Sequence, residues 1–312
     1  MAFPASKHNF KTPLATLQRA ETAAAQLPPL LVAAERVANT VMHGTHGRRR
    51  RGPGDTFWQF RHYQPGDAAQ SIDWRQSAKS GSVFIREKEW IAAQSVWLWR
   101  DNSPSMAYAS KHGLTEKIER ANLLTLALAA LLMRAGEHVA LTGEARSPSA
   151  GRGGLERIAA VLSHESSPPT DPEPGTPAAL NTPPMELLPR YANIVLFSDF
   201  LSPMEELVTS VSTYAARGVL GHLVQILDPA EEFLPFAGRI RFDGMEAEGS
   251  TLINRTENVR QDYRKRLQAR REKIIALAHH HGWSFTLHHT DRPAQEALFE
   301  LYGAMTIPRM QW

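Results

Sequence analysis

Hydrophobic and polar positions alternate in two different ways along this chain. Leu14, Leu17, Ala20 and Ala24 recur at helical spacing, and Pro28-Pro29 divides residues 14–41 into two predicted helices. Thr56–Tyr63 and Val83–Glu89 alternate apolar with polar residues, as strands with one buried face do. From residue 95 onward the strands become short unbroken apolar runs: 95–100, 138–142, 191–197, 221–227 and 283–288. Such runs, bounded by turn residues, predict strands buried on both faces. Between them lie predicted helices at 116–134, 155–164, 203–217, 257–280 and 293–301. In the fourth of these, Val259, Tyr263, Leu267, Ile274 and Ala278 share one face. A hairpin is expected where 239–242 and 250–253 flank Asp243-Gly244, and the Pro/Ser/Thr-rich stretch 166–184 reads as a surface loop.

Alternating strands and helices predict an α/β fold: a doubly wound, mainly parallel sheet of the Rossmann type with right-handed crossovers. The organisation read from the pattern is an N-terminal helical segment (1–46), a small β unit (47–92) and the α/β domain (93–312). Cysteine is absent, which excludes a disulfide framework, a thiolate zinc site and a cysteine nucleophile. No apolar run reaches the roughly 18 residues a membrane span requires, and residues 1–11 lack a signal-peptide core. A cytoplasmic protein with no integral membrane segment is the expectation. The net charge of +3 is small. Basic residues cluster at Arg48–Arg51 and between Arg260 and Lys273, but the second cluster is interleaved with Glu257, Asp262 and Glu272 at helical spacing, as on a solvated face. Nucleic acid is not an expected partner.

Candidate chemistry collects at strand ends. The first unbroken run stops at Asp101-Asn102-Ser103-Pro104-Ser105, and a later one at Ser198-Asp199. In open α/β sheets ligands gather beyond the carboxyl ends of the strands. Asp101, Ser103, Ser105 and Asp199 offer the oxygen donors that Mg²⁺ or Mn²⁺ prefers. The competing structural reading of Asp-x-Ser-x-Ser is a turn or helix cap, which leaves a scaffold without bound metal as an alternative. A phosphatase or hydrolase using Asp101 is a second one, but phosphoryl transfer on an aspartate wants an acid two residues on, where Ser103 stands. His279, His280 and His281 point in different directions on a helix and suit its C-terminal dipole better than a metal. The charges of Arg61, Asp67, Asp73, Arg75, Lys79, Arg86, Glu87 and Glu89 fit either internal ion pairs or a charged docking face.

The run Arg61-x-Tyr63-x-x-Gly66-Asp67, then Ile72-Asp73-Trp74, Ser77-Ala78-Lys79, Glu89 and Asp101-x-Ser103-x-Ser105-Met106 resembles the DUF58 family. The likeness is sharpest over 47–106. It implies a von Willebrand factor A-like domain with a β-rich preface, and a non-catalytic adaptor working with a MoxR-type AAA+ ATPase on protein clients. It also implies that Asp101, Ser103 and Ser105 form the first segment of a metal-ion-dependent adhesion site, with Asp199 as its last ligand. Thr176, chosen over Thr170 and Thr182, is the middle ligand on the same resemblance. Arg61, Asp67, Asp73 and Arg75 are the expected partner-binding residues. Gln70 stands where the family often carries Arg.

Overall fold

The computed structural model describes residues 29–45, 57–63, 72–88, 95–110, 115–144, 146–164, 182–245 and 249–306. In chain order its elements are α1 (Pro29–Thr45), β1 (Phe57–His62), α2 (Trp74–Ser80), β2 (Phe84–Lys88), β3 (Ser95–Arg100), α3 (Lys117–Arg134), β4 (His138–Leu141), α4 (Gly151–His164) and β5 (Asn193–Ser198). They continue with α5 (Met204–Ala216), β6 (Leu220–Leu227), α6 (Pro229–Phe233), β7 (Ile240–Asp243), β8 (Ser250–Ile253), α7 (Thr256–His280), β9 (Ser284–His289) and α8 (Ala294–Thr306).

Two compact units result: residues 1–42 with 95–312, and residues 43–94. The division differs from a boundary at 46, because α1 belongs to the larger body. Its Leu31, Ala34, Val37, Ala38 and Val41 are buried in the same core as α3, α4 and α8. An Ala-rich stripe at helical spacing has no stability of its own in water and is held by what it packs against.

The larger unit is built on five parallel strands in the order β4-β3-β5-β6-β9. Successive side chains leave a strand on opposite faces. Val96, Leu98, Val195, Phe197, Val224 and Ile226 therefore face one core with α1, α3, α4 and α8. Trp97, Trp99, Ile194, Leu196 and Leu223 face the other, with α5 and α7 supplying Leu207, Val211, Tyr214, Ile274 and Ala278. Two covered faces explain why these strands carry unbroken apolar runs, and the doubly wound α/β architecture follows.

The strand order also fixes where the chain reverses its direction of winding. From β3 it crosses to β4 on one side and then returns to β5 on the other. The switch point lies between the neighbouring strands β3 and β5, the crevice where doubly wound sheets bind ligands. Their carboxyl ends deliver Asp101 and Asp199.

In the smaller unit β1 and β2 pair antiparallel. Ser77 ties α2 to them: its Oγ donates to the Asp73 carbonyl at 2.7 Å and accepts from the Phe84 N–H at 2.8 Å. The hairpin β7–β8 forms as expected, but Asp243 lies in β7 opposite Ser250 and not in the turn.

Candidate strand-end site

Asp101 continues the pairing of β3 with β5 one residue beyond the strand, its N–H donating to the Phe197 carbonyl at 2.9 Å. Its carboxylate is turned inward and both oxygens are engaged. Oδ1 accepts from the Ser103 N–H at 2.8 Å and Oδ2 from the Ser198 hydroxyl at 2.6 Å. The first is an Asx-type turn, which folds the loop back on the strand end. Pro104–Met106 forms a single 3-10 turn, and the fully buried Met106 anchors it in the core. The turn sets Ser103 Oγ 3.0 Å from Ser105 Oγ, and Ser105 Oγ donates to Asp199 Oδ2 at 3.0 Å.

Asp199 is fixed from several sides. Its Oδ1 accepts from the Leu201 N–H at 3.0 Å, and its carbonyl from Gln225 Nε2 at 2.9 Å. The following Phe200 adopts φ 52°, a left-handed conformation unfavourable for a bulky residue. Its ring is buried in the second core, its N–H donates to Ser198 Oγ, and its carbonyl accepts from Arg270. Backbone strain of this kind persists only where surroundings over-determine it. The loops after β3 and β5 are thus rigidly seated against each other.

A buried cation completes the cluster. Lys117, at the first turn of α3, is fully inaccessible to solvent. Its ammonium donates to Asp199 Oδ2 at 2.8 Å and to Glu231 Oε1 at 2.6 Å, and lies 5.8 Å from the Tyr108 ring centroid. Burial pulls the Lys117 pKa down, but Asp199 and Glu231 outweigh it and hold the group above its ordinary value. Glu231 is positioned by a capping box on α6: Asp228 accepts from Ala230 N–H while Glu231 Oε2 accepts from Asp228 N–H. Among the described residues Asp101 has no such cation. Its burial, with Asp199 nearby, pushes the carboxyl from 3.8 to about 6 against the opposing hydrogen bonds from Ser198 and Ser103.

Four of the residues expected to form a site are therefore brought together: Asp101, Ser103, Ser105 and Asp199. Their donor chemistry suits a small hard dication. Cis oxygens around an octahedral ion with bonds near ~2.1 Å stand about 3.0 Å apart, as do the Ser103–Ser105 and Ser105–Asp199 oxygens. The same spacing suits hydroxyl hydrogen bonds, so the oxygens are held by one another where an ion's neighbouring ligands would stand. Among the described residues no cluster of three or more His, Cys, Asp or Glu side chains could hold a metal, so an ion here must use the serine hydroxyls.

Thr176 lies outside the described residues, as does Asp67. Arg61 sits in β1 opposite Ile85. Asp73 is half-buried at the start of α2, and Arg75 is exposed beside Trp74, which is itself 68% exposed. Sequence pattern assigns no role to Lys117 or Glu231, and marks Ser198 only as a strand end. Asp228-Pro229-x-Glu231 directly after an apolar run was the available sign of a capped turn. Lys117 gives no such sign, since a lysine at a helix start ordinarily faces water.

The model of the family described as "Protein of unknown function DUF58" matches residues 59–273. The uncharacterized protein Rv1480 of Mycobacterium tuberculosis is 26% identical over 282 residues, covering 86% of this chain and 85% of the relative. Among solved structures, the conserved hypothetical protein BatB from Bacteroides thetaiotaomicron is 15% identical, with 68% of this chain and 98% of that one covered and a TM-score of 0.37. An aerotolerance-related membrane protein from Bacteroides fragilis is 18% identical, with 67% and 98% covered and a TM-score of 0.37. The expectation of a cytoplasmic protein is withdrawn at this point. That expectation rests on absences, of cysteine and of a spanning run, and neither distinguishes a free domain from one held at a membrane. No helix among the described residues is long and apolar enough to cross a bilayer.

Proposed function

The chain belongs to the DUF58 family, and we propose that it is a non-catalytic adaptor whose strand-end cluster binds Mg²⁺ or Mn²⁺ and docks protein partners. The observation that supports this reading is the meeting of Ser103 and Ser105 with Asp199 at the switch point between β3 and β5. Ser103, Ser105 and Asp199 would hold the ion, with Asp101 behind them orienting the loop through Ser103 N–H. A bound dication supplies an electrophilic position that an acidic side chain of a partner can occupy. The charge balance supports loading: Asp199 and Glu231 share the ammonium of Lys117, and the buried Asp101 is held by hydrogen bonds from Ser103 and Ser198.

On this reading the cluster acts as a von Willebrand factor A-like adhesion site, and a MoxR-type AAA+ ATPase with its protein clients is the partner we assign to it. Arg61, Asp67, Asp73 and Arg75 contribute a second, charged contact from the smaller unit. A hydrolytic role for Asp101 is disfavoured by geometry. The side chain is 2% exposed, both its oxygens are engaged, and the residue two positions on is Ser103.

The test is capture of a purified MoxR-type AAA+ ATPase on immobilised protein. Capture in Mg²⁺ that is lost in EDTA and in Ser105→Ala is expected. Equal capture under all three conditions would show that docking does not use the cluster.

A further inference from the structure

We propose that Lys117 is a built-in competitor for the cation site, and that Glu231 is the residue that receives it when an ion loads. The inference rests on the cation reading above and specifies how loading is controlled. Asp199 Oδ2 accepts from both Ser105 Oγ, at 3.0 Å, and Lys117 Nζ, at 2.8 Å. The oxygen that completes the Ser103–Ser105 donor set is thus already neutralised by an ammonium tethered to α3. An incoming dication and the ammonium cannot both sit against one carboxylate oxygen without strong repulsion. Loading therefore requires Lys117 to withdraw from Asp199.

Withdrawal into an apolar core would leave an unpaired buried charge, which is prohibitive. The structure supplies a destination. Glu231 Oε1 is 2.6 Å from the same nitrogen on its other side. Glu231 is itself fixed by the α6 capping box through its second oxygen, and the Tyr108 ring borders the ammonium. Lys117 can give up one carboxylate while keeping the other. The ion pair between Lys117 and Glu231 thus forms the ion-loaded state's resting pair, and the pair with Asp199 the ion-free one. Weak loading by free ion, strengthened when a partner carboxylate adds to the ion's ligands, follows from this exchange.

The test uses the full chain and free Mn²⁺ measured by electron paramagnetic resonance. The double variant Lys117→Met/Glu231→Gln removes the competitor and its receiver together. Local net charge is unchanged, and Asp199, though it loses its ammonium, keeps its hydrogen bonds from Ser105 Oγ and the Leu201 N–H. The expected result is Mn²⁺ binding tighter than wild type by about tenfold or more, the scale of removing one close charge. Single Glu231→Gln leaves Lys117 with Asp199 alone, and binding weaker than wild type is expected. A double variant with wild-type or weaker affinity overturns the competition, and leaves the cation reading standing. Absence of Mn²⁺ binding by wild type and double variant alike overturns the cation reading, and the competition with it. If the double variant does not fold, Glu231→Gln decides: unchanged affinity rejects the proposal.

Discussion

At the scale of single residues, the site is defined by which carboxylates have a cation and which do not. Asp101 lacks one, and its carboxyl titrates near 6 instead of 3.8. A raised folded-state pKa means the protonated form is favoured in the native protein. The stability this confers is complete below about pH 4 and is lost as pH rises through about 6. Asp101→Asn, which stays neutral, should therefore gain on wild type between pH 4 and 7, by about 3 kcal/mol at most. Urea unfolding at a series of pH values measures it; a difference independent of pH would contradict the assignment. Added Mg²⁺ should erase the gain, because an ion stabilises the charged carboxylate.

His288 behaves oppositely. Burial, then Arg120 and His289, push its pKa down to about 3. A depressed histidine contributes stability above its unfolded value of 6.5 that is lost as pH falls toward 3. Its Nε2 has no hydrogen-bond partner among the described residues, so His288→Leu should flatten the acid limb of the stability profile while changing little at pH 8. Acid titration followed by circular dichroism checks this. Of these residues, Asp101 and Asp199 were legible as strand-end carboxylates. The burial that raises the Asp101 carboxyl was not, because it depends on which loops close over it.

At the scale of elements, apolar periodicity located the strands of the large sheet to within a residue or two, since burial on both faces leaves little freedom of composition. The short elements escaped it. α2 and α6 span seven and five residues, too few for a helical period, and are held by local side-chain bonds: Ser77 for α2 and Asp228 for α6. Strand positions carry their own test. A Cβ at Gly221 in β6 would fall within the indole of Trp283, which is buried and donates its Nε1–H to the Val219 carbonyl. Gly221→Ala should destabilise by at least about 1–3 kcal/mol through overpacking, measured by urea unfolding. Wild-type stability would mean that Trp283 moves freely. For α1, Leu31→Ala should cost about 2–5 kcal/mol, as for a core leucine. An exposed, separate N-terminal helix would lose almost nothing.

At the scale of the molecule, strand order converts a short and common motif into a candidate site. Asp-x-Ser-x-Ser alone is equally a turn. The order β4-β3-β5-β6-β9 places it at the reversal of winding beside Asp199, and no local property of either loop encodes that neighbourhood. The alternation of strands and helices was enough to predict the doubly wound class. The family resemblance, carried mostly by residues 61–89, pointed to the same two loops. Lys117 and Glu231 enter only once α3 and α6 are folded over the sheet edge.

The proposed adaptor role depends on divalent-cation binding by the oxygens of this edge. Calorimetric titration of Mg²⁺ or Mn²⁺ into wild type, Asp101→Ala and Ser105→Ala tests it most directly. One saturable binding event in wild type, abolished in both variants, is the predicted result. Equal heats from all three proteins, or none from wild type, would contradict it.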